Sequence, residues 1–222
     1  MPGYAGFDSS EYPGLAHMNW LIGNTNLRWC GFYLGQTPSH PSTSWMRSRA
    51  ELAQLNWGFA PIYVGQQVTG PGSHNVTLAQ GALDGADACR LMGQSGFQPG
   101  TYVYLDLENG QPFTDDQKKY VAAWVDAVKA NNFLPGVYCS WTFAADMHQL
   151  RSQARVWVFR VSTTKPHPVP GANFPDPHPA GCGYAGAYAW QLGMECQISV
   201  PGAPNGILQV DLDSAASPDP SR

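Results

Sequence analysis

Eight short apolar segments recur along the chain, at 4–8, 28–34, 59–64, 101–108, 136–140, 155–161, 187–192 and 207–213, and their number and spacing limit the fold more than any other feature. Most are rich in Val, Ile, Tyr, Phe or Trp, which suit a pleated, half-buried strand. Stretches with helical spacing lie between several of them. The clearest begins at Thr114, where Thr114 and Gln117 form a capping-box pattern and Val121, Trp124, Val125 and Val128 fall on one face. A second helix is expected after Ser44, ending near Gly58, and a third from Thr77 to Gly96, weakened by Gly81 and Gly85. Strands that alternate with helices pair in parallel. Eight of them in 222 residues suit a single α/β domain, a closed (β/α)8 barrel of the TIM type with parallel strands. An open doubly wound sheet is the alternative, but no glycine-rich phosphate loop follows the first strand to support it. The reading gives one barrel domain over 1–213 and a polar tail, 214–222, expected to fray.

Composition narrows the partners. Charged residues are only 13% of the chain, the net charge is −4, and there is no basic run. A nucleic-acid partner is therefore not expected, since phosphate neutralisation needs clustered Lys and Arg. No apolar run approaches the roughly 18 residues of a membrane span. Residues 1–10 show neither a basic region nor an apolar core, so no signal peptide is expected there. None of the five cysteines forms a CxxC pair, and the six histidines show no HxH or HExxH spacing, so neither a metal site nor a cofactor is expected. Cys182 and Cys196 are left open between a bridge and two reduced thiols. The segment 163–183 is Pro-rich, has no helical period, and joins the sixth and seventh strands. In a barrel it emerges at the mouth, where it is expected to wall the groove; an ornamental insertion is the alternative.

Candidate chemistry concentrates in TYVYLDLENG, residues 101–110. Strand side chains alternate between faces, so Tyr102, Tyr104, Asp106 and Glu108 share one face and Val103, Leu105 and Leu107 the other. That places two carboxylates at the C-terminal end of a strand, where barrel enzymes build their sites. Neighbouring acids in a cleft cannot both ionise easily. One then keeps a proton to donate, while the other stabilises positive charge, the division of labour of glycoside hydrolysis. A lone DxE carries no assignment, but two further acids join it. Asp8 ends the first strand and Asp211 lies in the last, and these strands are neighbours once a barrel closes. Asp213 shares a face with Asp211, yet sits near the expected frayed tail. Trp141 and Trp190 lie at strand ends, where an indole can stack on a sugar.

The motifs GFDSS, YLDLE, GVYCSW and AWQ followed by QVDLD resemble family-25 glycoside hydrolases, the muramidases that cut peptidoglycan. The opening, the GFYLG strand and the spacing are closer still to the glycoside hydrolase-like group called domain of unknown function 1906. The resemblance runs from about Gly6 to Asp213. It implies a barrel, Glu108 as general acid, Asp106 as the acid that orients the substrate N-acetyl group, and Asp8 and Asp211 as supporting acids. Tyr138 and Trp190 match aromatic positions beside the sugar. With Tyr63, Trp141 and Gln191 they complete the expected substrate contacts. Two departures stand out: Asp213 replaces an Asn common in lysozymes, and Arg160 replaces a small residue, where it would narrow the groove or pair with an acid.

Three functional readings are open. The chain is a monomeric hydrolase of a β-linked amino sugar polymer, acting on peptidoglycan outside the cytoplasm; or a barrel that binds cell-wall glycan without cutting it; or a carboxylate-held Mg²⁺ site. Both DxE acids are intact, which favours the first. No Lys or His base accompanies them, which disfavours the third.

Overall fold

Every segment read as a strand forms one in the computed structural model, which describes residues 2–110 and 112–222. The strands are β1 (Tyr4–Asp8), β2 (Trp29–Tyr33), β3 (Gly58–Val64), β4 (Tyr102–Asp106), β5 (Leu134–Ser140), β6 (Arg155–Phe159), β7 (His167–Pro168), β8 (Ala187–Ser199) and β9 (Ile207–Ala215). Helices α1 (Leu15–Asn24), α2 (Arg49–Gln54), α3 (Leu78–Gln94), α4 (Asp115–Ala130) and α5 (Ala144–Leu150) come after the first five strands in turn. β1 to β6 run side by side in parallel, β6 pairs with β8, and β9 closes the barrel between β8 and β1; the two-residue β7 lies outside on β8. The eight-stranded closed barrel is thus as the sequence predicts.

Its parallel pairing holds for seven strands and fails at the eighth. β9 is antiparallel to both neighbours. Only residues 200–206 separate β8 from β9, and a parallel return needs a crossover of about a dozen residues or more. The chain makes a hairpin instead. Its outer half, Cys196–Ser199 against Ile207–Val210, extends β8 and β9 beyond the strands' pairing with the barrel.

The alternation of side chains sorts two cores. Phe7, Phe32, Tyr63, Leu105, Val137 and Val158 face outward and pack under the helices. Trp29, Ile62, Tyr104, Tyr138 and Trp157 face inward and fill the barrel. Trp157 is the hub of that interior, edge-on to Trp29, Tyr104 and Tyr138 at ring distances of 5.5, 5.6 and 5.4 Å. Among the helices, α4 starts on the expected capping box: Thr114 Oγ1 accepts from Gln117 N at 3.2 Å and Gln117 Oε1 from Thr114 N at 2.9 Å. The two glycines that weaken α3 have a packing reason. A Cβ at Gly81 would collide with the Tyr120 carbonyl, and one at Gly85 would lie 2.6 Å from that of Trp124. Their absence lets α3 and α4 pack backbone to backbone.

Two other expectations are corrected. The tail does not fray. Residues 217–222 cross the base of the barrel, where Asp219 Oδ1 accepts from Phe59 N, Ser221 O from Tyr102 N, and Pro220 O from the buried Tyr104 hydroxyl. No residue of the segment 163–183 lines the cleft at the mouth; only its His167–Pro168 comes near, pairing with Cys196–Gln197 on the outer part of the β8–β9 hairpin. Because β6 and β8 are parallel, the connection must return from mouth to base, and with no α-helix present this segment makes the return. Its Phe174 is buried and exchanges hydrogen bonds of 2.8 Å with Asn26 beside the start of β2, while Asp176 O accepts from Gly3 N and Pro177 O from Ser214 Oγ. All five cysteines are free, buried thiols, so Cys182 and Cys196 are not bridged. No helix among the described residues is long and apolar enough to cross a membrane.

Candidate active site

A cleft of about 390 Å³ opens at the C-terminal ends of the strands. Asp8 ends β1, Asp106 ends β4, Glu108 lies two residues later, and Asp211 comes down β9 opposite Asp8. The antiparallel course of β9 does not disturb this meeting, because its register still sets Asp211 across from Asp8.

Gln191 on β8 ties the acids together. Its Nε2 donates to Asp211 Oδ2 at 2.8 Å and to Asp8 Oδ2 at 3.3 Å, and its Oε1 accepts from the Tyr138 hydroxyl at 2.6 Å. Tyr33 donates to Asp8 Oδ1 at 2.7 Å. Asp213, fully buried, accepts from Trp157 Nε1 at 3.1 Å on Oδ1, its Oδ2 has no hydrogen-bond partner among the described residues, and it sits close enough to Asp8 for each carboxyl group to shift the pKa of the other.

Burial and mutual repulsion keep protons on this cluster. Burial first, then the charges of Glu108, Asp8 and Asp211, hold Asp106 well above the usual carboxylate range. Burial, then Asp8 and Asp211, does the same for Asp213. Asp211 is pushed up to about 8 by burial and by Asp8, against the opposing pull of the Glu195 backbone N–H. Asp8 is raised by burial, although the bonds from Tyr33 and Gln191 and the neighbouring Asp213 carboxyl group counter it. Glu108 stands exposed at the rim; the protein flanking it strips enough hydration, with Asp8 adding charge, to raise its pKa as well. Asp106 lines the cleft at 5% exposure, and its Oδ1 has no hydrogen-bond partner among the described residues.

The remaining expected contacts divide. Tyr138 and Gln191 line the cleft, though Gln191 already uses its donors on the two acids. Tyr63 does not. Ile62 and Val64 point inward, so Tyr63 between them points outward, where it packs near Trp124 and its hydroxyl lies 3.4 Å from Asp87 Oδ2. Trp190 faces outward for the same reason, beside the inward Gln191; its Nε1 donates to Arg160 O and its ring lies against Gly181. Trp141 is exposed after β5 and lies outside the cleft lining. Arg160 neither narrows the groove nor pairs with an acid: its guanidinium stacks over Trp141 at 4.4 Å and donates to Cys182 O at 2.8 Å.

Sequence reasoning missed several lining residues. Tyr33, Trp157 and Phe159 could have been found from the same alternation on β2 and β6. Met194 and Glu195 could not. They sit where register shifts disrupt the β8–β9 ladder, with Glu195 at φ 58°, and an irregularity of this kind leaves no mark in hydrophobic periodicity. Gln67, just beyond β3, was also invisible. Its side-chain amide donates to Asp106 O at 2.9 Å and accepts from Glu108 N at 3.2 Å, so it grips the backbone on both sides of Leu107. His74 Nδ1 bonds the Gln67 carbonyl at 2.6 Å and steadies it from below.

A closed barrel with acids from β1, β4 and β9 gathered at its mouth defines a protein of the glycoside hydrolase-like class. Within that class, the chain belongs to the Rv2525c-like, glycoside hydrolase-like domain family, which matches residues 20–180. No curated protein matches the sequence. Among solved structures, an uncharacterized protein of B. stearothermophilus is similar at 19% identity and a TM-score of 0.65, with 96% of each chain covered. The Tat-secreted protein Rv2525c of Mycobacterium tuberculosis is similar at 15% identity and 0.58, covering 98% of this chain and 97% of its own. A family 25 glycosyl hydrolase from Bacillus anthracis is similar at 10% identity and 0.58, covering 97% and 90%. At these identities the likeness is one of fold.

Proposed function

We propose that this chain is a muramidase-type glycoside hydrolase that cleaves β-1,4 bonds of peptidoglycan as a monomer outside the cytoplasm. The observation that carries the reading is Glu108: an acid at the rim of the cleft whose pKa is raised, two residues beyond the buried Asp106, whose Oδ1 has no partner among the described residues. Glu108 gives its proton to the glycosidic oxygen as the bond to the anomeric carbon breaks. The carbonyl oxygen of the substrate's own N-acetyl group attacks that carbon, and Asp106 Oδ1 accepts the acetamido N–H and orients it. Glu108, now ionised, takes a proton from water, which opens the cyclic intermediate and restores the acid. Asp8 and Asp211, braced by Gln191, Tyr33 and the hairpin, set the field around the reacting carbon. Secretion of the similar Rv2525c protein and the resemblance to muramidases support an extracytoplasmic wall substrate.

The test is incubation with purified peptidoglycan and mass spectrometry of the products, expected to show new reducing ends at muramic acid. Glu108→Gln keeps the shape and removes the proton, so turnover is expected to fall by roughly 10²–10⁴-fold with folding unchanged. Undiminished turnover would remove Glu108 from the role. Binding without any cleavage by the intact protein would make the barrel a glycan-binding module. The raised acid also fixes the sign of the pH profile. As pH climbs through the Glu108 pKa the donor proton is lost, so kcat/KM falls on an alkaline limb lying above the range of an ordinary glutamate.

A further inference from the structure

Five of the residues lining the cleft are acids, Asp8, Asp106, Glu108, Glu195 and Asp211, and none is Lys, Arg or His. Glu195 and Asp211 share one wall, the β8–β9 hairpin. There the Glu195 N–H donates to Asp211 Oδ1 at 2.8 Å, holding Glu195 at a φ of 58°, which glutamate seldom adopts. The Glu195 carboxylate accepts from Gln209 at the outer edge of the same hairpin. Across the cleft, Asp106 is 5% exposed and its Oδ1 lacks a partner among the described residues. An anionic ligand would find no counter-charge here, and would drive the acids to keep their protons, whereas a cationic one would favour their ionised forms. A sugar hydroxyl can answer one acid, but an ammonium group presents three donors and forms charge-assisted bonds about twice as strong. A metal ion is the other cation such a wall suggests, but among the described residues no three acids are arranged to hold one.

We propose that the cleft takes a partly de-N-acetylated amino sugar polymer, with the free ammonium of one unit held by Glu195 and Asp211 on the hairpin wall. An acetylated neighbouring unit presents its amide to Asp106. The placement of that second unit rests on the hydrolase reading above, whereas the ammonium subsite is read by binding alone. Asp211, which holds its proton up to about pH 8, gives it up when an ammonium arrives, so binding near neutral pH releases protons.

The test uses the full chain carrying Glu108→Gln, titrated by calorimetry with β-1,4-linked glucosamine pentasaccharides that differ only in acetylation. The partly deacetylated ligand is expected to bind roughly tenfold tighter than the fully acetylated one, with proton release revealed by buffers of different ionisation enthalpy. Adding Glu195→Gln should bring the two affinities close together. Glu195→Gly, which suits the observed φ, should do the same and guards against misfolding of the first variant. Equal or tighter binding of the acetylated ligand overturns the subsite, as does a preference that survives both Glu195 changes. Peptidoglycan glycan strands with and without de-N-acetylated glucosamine form a second ligand pair; the same preference there extends the subsite to chains containing muramic acid, and its reversal overturns it. If the wild-type protein cleaves no glycan while the preference holds, the hydrolase reading fails and the subsite stands.

Discussion

Asp213 shows how a single buried acid ties stability to pH. It is fully buried, its Oδ1 accepts from Trp157 Nε1, its Oδ2 has no partner among the described residues, and burial with the neighbouring Asp8 and Asp211 holds its pKa well above the usual carboxylate range. An Asn at that position would keep the bond from Trp157 without titrating. The direction of the shifts sets the linkage. Asp8, Asp106, Asp211 and Asp213 all have folded-state values above the ordinary 3.8. Between that value and their raised ones the folded state binds more protons than the unfolded chain, so their contribution to stability is complete at acid pH and lost as pH rises, for Asp211 up to about 8. Asp213→Asn is therefore expected to leave the melting temperature near pH 4 unchanged and to raise it near pH 8 by roughly 2 °C or more, flattening the pH dependence. Thermal melts across that range check it; an equal loss at both ends would mean that the carboxyl does something the amide cannot.

At the scale of elements, the acids are held by the loops beyond the strand ends as much as by the strands themselves. β3 and β4 stop pairing at Val64 and Asp106, and the Gln67 side chain then continues the ladder by bridging Asp106 O and Glu108 N. Gln67→Met keeps length and bulk but removes both bonds. It is expected to cost about 1–3 kcal/mol of stability and, because Glu108 loses its fixed position, to lower kcat roughly tenfold or more with a smaller change in KM. Unaltered kcat in a folded Gln67→Met protein would confine Gln67 to a structural role. Strand alternation made much of the site readable in advance: the parity that sets Asp106 inward on β4 also sets Tyr33 and Trp157 inward, and it excludes Tyr63 and Trp190, whose residue type alone makes them look like sugar contacts. Gln67 and the irregular Met194–Glu195 stretch were not readable, because their positions depend on loop geometry and a broken register, which carry no period. The segment 163–183 was legible as irregular but not in its course, which is set by the need to return to the base of the barrel.

Across the whole molecule, the two ends of the barrel are finished differently. The mouth is left open and acidic, while the base is closed by the chain's own last residues. There the Arg155 guanidinium lies between the rings of Tyr102 and Tyr188, at 3.4 and 3.8 Å, and donates to the carbonyls of Pro220 and Arg222. Tyr104, fully buried in the barrel interior, has its hydroxyl satisfied by Pro220 O, and the Phe59 and Tyr102 backbone N–H groups are satisfied by Asp219 and Ser221. Removing residues 217–222 would leave those three donors to water that must enter beneath the aromatic interior. With a net worth of about 1 kcal/mol for each hydrogen bond, the truncated protein is expected to melt roughly 5–10 °C lower. Asp219→Ala removes the bond to Phe59 N, the local turn bonds to Ser221 and the exposed ion pair with Arg222, so it should lose a fraction of that. Because the cleft lies at the opposite end, glycan binding measured well below the new melting point should match the intact chain. A truncated protein that melts at the original temperature would show that the interior needs no plug; one that stays folded but loses glycan binding would show that the base and the mouth are coupled through the Trp157 column.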